Sequence, residues 1–102
     1  MTETIADILN AGTIICKHAA NRERHILFAR RNVPFDESDS GWEFACSPGG
    51  ESDENYEVWA LKHVLATDST LQEHMTREYG TVLMRANQNE LWQVSFDPQS
   101  AI

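Results

Sequence analysis

The sequence predicts an α+β domain: a mainly antiparallel sheet of about five strands, with two to three helices grouped on one side. Three observations predict it. Short β-branched or aromatic runs are joined by polar turns, as in hairpins. The segments with helical spacing follow one another, from about Glu54 and again over 69–79, instead of alternating with strands. A length of 102 residues, 41% of them hydrophobic, suits a single domain with one modest core.

Each element has a local reason. Thr4 can cap a short helix with Ile5, Ile8 and Leu9 on one face, stopped at Asn10-Ala11-Gly12. Thr13 to Lys17 is a β-branched run, and His25 to Arg31 alternates in strand fashion. The polar Ala19 to Glu23 connection predicts that these two strands form a hairpin. Val33-Pro34 ends the hairpin, because proline lacks a donor and restricts the residue before it. Gly41 supplies a permissive backbone before a strand at Trp42 to Cys46, and Ser47-Pro48-Gly49-Gly50 reads as a turn. Asp53 can cap a helix from Glu54 whose apolar stripe is Val58, Leu61, Val64 and Leu65. Asp68 caps a second helix, Ser69 to Tyr79, with Gly80 as its stop. Thr81 to Ala86 and Leu91 to Phe96 form a closing hairpin, and residues 97–102 read as a frayed tail.

Charge is the strongest functional signal. Residues 32–57 hold eight carboxylates and no Lys or Arg, which equals the formal charge of −8 for the whole chain. Such crowding costs stability through self-repulsion, so a compact domain that keeps it suggests a surface for a basic partner. The same balance argues against nucleic acid and against an anionic membrane, since both need basic surfaces. Residues 17–31 carry a local +4, either as a basic flank or as a sheet neighbour that neutralises the acidic segment. No run of 18 apolar residues is present and the N-terminus lacks a signal-peptide pattern, so the expected location is cytoplasmic. Cys16 and Cys46 sit in apolar surroundings without metal-ligand spacing and read as small core hydrophobes, a disulfide between them requiring that their strands lie side by side.

At Asp39-Ser40-Gly41-Trp42-Glu43-Phe44, followed by a glycine turn and Glu51-x-Asp53-x-x-Tyr56, the chain resembles a known bacterial family. It is the domain-of-unknown-function family 2185, also grouped among predicted immunity proteins of polymorphic toxin systems as immunity family 33. Phe28-Ala29-Arg30-Arg31 with Pro34, Leu61 to Asp68, Leu71 to Gly80 and Thr81 to Arg85 continue the resemblance, which spans about residues 13–95. The Ala45 to Gly50 connection is longer than the family's usual one. The resemblance implies a non-catalytic protein that neutralises a cognate toxin by binding it.

The partner surface expected on these grounds comprises Asp36, Glu37, Asp39, Trp42, Glu43, Glu51 and Asp53. It would face a basic toxin domain, a nuclease being one candidate, because an acidic patch can steer such a partner and fill a phosphate-binding cleft. Two readings of Trp42 stay open: it and Phe44 are both core, or Trp42 lies at a sheet edge as an interface anchor. The acids likewise divide between solvated loop and helix-start residues and a functional patch. The alternative function is a small-ligand-binding or regulatory module, with Arg30, Arg31, Trp42 and Tyr56 lining a pocket and Arg31 clamping an anion. An oligomerising scaffold using a strand edge is a third. The carboxylate spacing does not match a calcium loop, so neither metal nor cofactor is expected. The histidines lack the ordering that nucleophilic catalysis requires, so no enzymatic activity is expected.

Overall fold

The computed structural model describes residues 3–47 and 53–102. The predicted class holds, with six strands in place of about five. In chain order they are β1 (Gly12–Cys16), β2 (Phe28–Arg31), β3 (Asp39–Ala45), β4 (Tyr56–Ala60), β5 (Thr81–Met84) and β6 (Gln93–Phe96). The helices are α1 (Ile5–Ile8), α2 (Lys17–Ala20) and α3 (Leu61–Thr67), with 3-10 turns at Asp53–Asn55, Ser69–His74 and Pro98–Ala101. The sheet order is β4-β1-β3-β2-β5-β6, with β1 and β3 parallel and every other neighbouring pair antiparallel.

Four local expectations change. β1 and β2 are not a hairpin: α2 occupies their connection, and β3 inserts between them by pairing in parallel with β1. The helix expected from Glu54 begins only at Leu61, because Tyr56-Glu57-Val58-Trp59-Ala60 is rich in β-formers and pairs along β1 as an edge strand. The second helix is a 3-10 turn ending at His74, still capped by Asp68, whose carboxylate accepts from the Thr70 amide at 3.1 Å. Where a frayed tail was expected, Pro98–Ala101 forms a 3-10 turn capped by Asp97, which accepts from the Gln99 amide at 3.1 Å. The turn expected at Pro48-Gly49-Gly50 lies outside the described residues.

Register explains the core. Ile15, Phe44, Ala29 and Leu83 fall opposite one another across four strands, and all four are fully buried. Leu61, Val64 and Leu65 of α3 and Leu71 and Met75 after it belong to the same core, so the helical segments cover this face. The alternate row is Ile14, Glu43, Arg30, Val82 and Ser95 on the opposite face of the sheet. There Val58 and Met84 are exposed, and Arg30 Nε donates to Glu43 Oε1 at 2.6 Å.

The Asp39-Ser40-Gly41-Trp42 motif builds the centre of this framework. Between Gly12↔Asp39 and Ile14↔Glu43 the β1–β3 register shifts, so β3 bulges at this motif. Gly41 has φ +84, and a Cβ there would lie 2.1 Å from the Asn32 carbonyl oxygen, so only glycine fits. Asp39 holds the turn with both oxygens, accepting from the amides of Gly41 at 2.9 Å and Phe35 at 2.8 Å. Ser40 Oγ accepts from the Trp42 amide at 3.1 Å. The Trp42 indole is 1% exposed and donates to the Met75 carbonyl at 3.0 Å, tying the sheet to the helical layer.

Candidate functional site

A groove of about 510 Å³ opens beside the N-terminal ends of β1 and β3. Glu3, Asp7 and Ala11 form one wall, carried by α1 and its flanks. Asp36, Glu37 and Asp39 form the other, on the loop that follows Pro34. Tyr79 and Arg31 complete it. Five carboxylates and one guanidinium therefore share the lining, a balance that favours cationic groups.

Each wall has its own support. Thr4 donates its amide to Asp7 Oδ2 at 2.9 Å, and the Thr4 hydrogen bonds, backbone first, hold the Asp7 carboxyl below the usual carboxylate range. Asp36 Oδ1 accepts from the Ser38 hydroxyl at 2.6 Å and the Ser38 amide at 2.8 Å, which likewise lowers its pKa. Both acids consequently stay ionised further into the acid range than ordinary carboxylates. Phe35, between groove residues Pro34 and Asp36, is 97% exposed. A fully exposed phenyl ring beside an acidic cleft gains most when a partner covers it.

Arg31 has a structural role. It is 2% exposed, and its Nε donates to the Ser40 carbonyl at 3.0 Å. Nη1 reaches the carbonyls of Met75 at 3.2 Å and Arg77 at 2.9 Å. Nη1 and Nη2 grip the Glu3 carboxylate at 2.7 and 3.0 Å, a bidentate pair that fastens the start of α1 to the sheet. With its donors so engaged, Arg31 has little to offer an incoming anion. Arg85, also buried, serves the other side of the core: it donates to the Ile26 carbonyl at 3.1 and 2.8 Å and pairs with Asp68. Its guanidinium also sits 4.0 Å from the centroid of the Trp92 ring.

The expected site residues are divided by the fold. Asp36, Glu37 and Asp39 come together in the groove. Trp42 does not join them, because its ring is core; the anchor reading of that residue gives way to the packed one. Glu43 is buried on the opposite sheet face, where its Oε1 accepts from Arg30 and from Asn32 Nδ2 at 3.0 Å. Glu51 and the Asp53 side chain lie outside the described residues. The ligand pocket of Arg30, Arg31, Trp42 and Tyr56 is not assembled: β2 alternation puts Arg30 on the Glu43–Tyr56 side and Arg31 on the Trp42 side. Of the basic segment, Arg30 neutralises Glu43, whereas Arg22 and Arg24 are exposed beyond the C-terminal end of β1, away from the groove.

Sequence reasoning missed Glu3, Asp7, Phe35 and Tyr79. The Thr4-x-x-Asp7 capping pattern was the available signal for Asp7; nothing local announces that α1 folds back beside the Asp36 loop. It also separated Cys16 from Cys46. Because β1 and β3 run parallel, their C-terminal ends meet, and the ligand atoms of Cys16, His18 and Cys46 all lie within 4.8 Å of one another.

Fold and groove together define a small α+β domain with an acidic cleft at one end of its sheet. The family described as immunity protein Imm33 domain matches residues 13–95, and the chain belongs to it. Membership implies a protein partner, a toxin. Neither the curated proteins nor the solved structures gave a match. No helix among the described residues is long and apolar enough to cross a membrane.

Proposed function

We propose that this protein neutralises its cognate toxin by stoichiometric, non-catalytic binding, with the acidic groove receiving basic side chains and Phe35 packing against an apolar spot beside them. The observation that carries this reading is the convergence of Glu3, Asp7, Asp36, Glu37 and Asp39 on one cleft next to a 97% exposed phenyl ring. Arg31 already compensates Glu3, so Asp7, Asp36, Glu37 and Asp39 supply the uncompensated field. Such a field accelerates encounter with a basic surface, and the desolvated ring slows its departure. A basic nuclease domain fits this chemistry, because the groove would occupy groups that otherwise bind phosphate.

The test is a pull-down of the tagged protein from its native host at low and high salt, repeated with Glu37→Lys. One basic protein retained at low salt, shed at high salt and lost by the variant supports the reading. Capture of a partner equally well at both salts and by both proteins would remove the groove from the interface.

A further inference from the structure

A second cluster lies at the opposite end of the sheet, and it does not depend on the toxin-binding reading. The β1 and β3 strands pair in parallel with Ile15 opposite Phe44, so Cys16, one residue on, and Cys46, two residues on, come together where the two strands end. The chain turns into α2 directly after Cys16, which returns His18 to the same spot. Cys46 Sγ and His18 Nδ1 are 3.9 Å apart, and all three ligand atoms lie within 4.8 Å of one another. Both cysteines are buried, and His18 is half-buried.

We infer that Cys16, His18 and Cys46 form a binding site for a thiophilic d10 cation of the Zn(II) type. Two thiolates and an imidazole are the donor set such ions select over calcium or magnesium. In a tetrahedral site with Zn–S about 2.3 Å and Zn–N about 2.0 Å, sulfurs stand roughly 3.8 Å apart and sulfur and nitrogen roughly 3.6 Å. The Cys46–His18 separation is already near that value, and side-chain rotations of under about 1 Å close the rest. Binding releases the two thiol protons to solvent, and the divalent charge then offsets two thiolates that would otherwise be costly at buried positions. Two sulfurs alone would suit a disulfide; the imidazole beside Cys46 supplies a third ligand that a disulfide does not use. The bound cation would tie the ends of β1 and β3 to α2, about a strand's length from the acidic groove.

The test uses the intact, reduced protein titrated with Zn(II) against a chromophoric chelator, and with Co(II) followed by its thiolate charge-transfer band. Expected are one equivalent of metal per chain, the cobalt–thiolate band, and a higher melting temperature with zinc. Cys46→Ser and His18→Gln should each weaken binding at least about tenfold, since loss of a supporting second-shell contact alone costs ten- to hundredfold. His18 is the less buried position, so His18→Gln keeps the question open if the cysteine variant unfolds. Failure of the reduced wild-type protein to take up one equivalent overturns the proposal. So does zinc bound without a thiolate band, or binding unchanged in a folded His18→Gln protein.

Discussion

Replacing Arg31 with methionine removes the guanidinium while keeping most of the side-chain volume, and so isolates its polar work. The residue donates to three backbone carbonyls, those of Ser40, Met75 and Arg77, and to both oxygens of Glu3. Glu3 is one-third exposed and can rehydrate, and the Met75 carbonyl keeps its bond from the Trp42 indole, but the buried Ser40 carbonyl loses its Arg31 donor. Each orphaned buried acceptor costs about 1–3 kcal/mol. Adding the charged bonds lost at the Met75 and Arg77 carbonyls gives about 2–4 kcal/mol, less than a fully buried ion pair would cost because Glu3 can rehydrate. A domain of this size holds only about 5–15 kcal/mol in total. With a urea slope of about 1.5 kcal/mol/M, the unfolding midpoint should fall by roughly 1.5–2.5 M. Equilibrium unfolding followed by tryptophan fluorescence and circular dichroism reads this directly. Arg31→Lys should rescue little, because one ammonium cannot serve acceptors spread around a planar fork. A midpoint change below about 0.5 M with an unaltered slope would refute the reasoning, and would return Arg31 to candidacy as an anion clamp.

Three further outcomes follow from the same geometry. Phe35→Ala should leave stability within about 0.5 kcal/mol, since the ring packs on little. It should weaken toxin binding by more than about 1 kcal/mol, and calorimetry on the purified pair would show both. Gly41→Ala places a Cβ 2.1 Å from the Asn32 carbonyl at a positive φ, so it should destabilise by roughly 2 kcal/mol or more in the same urea assay; a neutral result would mean the bulge can relax. His74 is buried, and desolvation, reinforced by the neighbouring Arg77 charge, holds its pKa below 6.5. The folded state then binds fewer protons than the unfolded one. His74 stabilisation is therefore complete above about pH 6.5 and falls as pH drops from there toward the folded pKa. His74→Gln should flatten the difference between urea midpoints at pH 7.5 and 5.5, and an unchanged slope would exclude His74 as its source.

The fold was legible wherever the signal was local. Thr4 and Asp68 cap where expected, and β5 and β6 form the predicted hairpin; Gly80 has a positive φ, but with the helical turn ending at His74 it leads into β5 and stops no helix. It was illegible where a partner decides the outcome. Val58, Leu61, Val64 and Leu65 do have helical spacing, yet Val58 belongs to an edge strand because β1 offers it a row of hydrogen bonds. The parallel pairing of β1 with β3 joins residues more than 20 positions apart and crosses an intervening strand, so no turn chemistry announces it. That one pairing explains both the false hairpin and the hidden Cys16–His18–Cys46 cluster.

The site divides along the same line, and the division bears on what family membership can tell. Asp39, Ser40, Gly41 and Trp42 spend their polar groups and their ring on the bulge, the loop and the core. The motif that makes the family resemblance visible is therefore architectural, and its tryptophan belongs to the core. Exposed chemistry lies on either side of it: in Phe35, Asp36 and Glu37 on the preceding loop, and in Glu3 and Asp7 before residue 13, where the family match begins. Arg31 joins the two, since it holds Glu3 and the Ser40 carbonyl at once. A groove with one wall outside the matched span can change its charge and shape while the bulge, Trp42 and Arg31 stay fixed. Grafting the Phe35–Ser38 loop between two family members should thus move toxin preference without moving stability by more than about 1 kcal/mol, and a graft that unfolds the recipient would show that the loop is part of the framework after all.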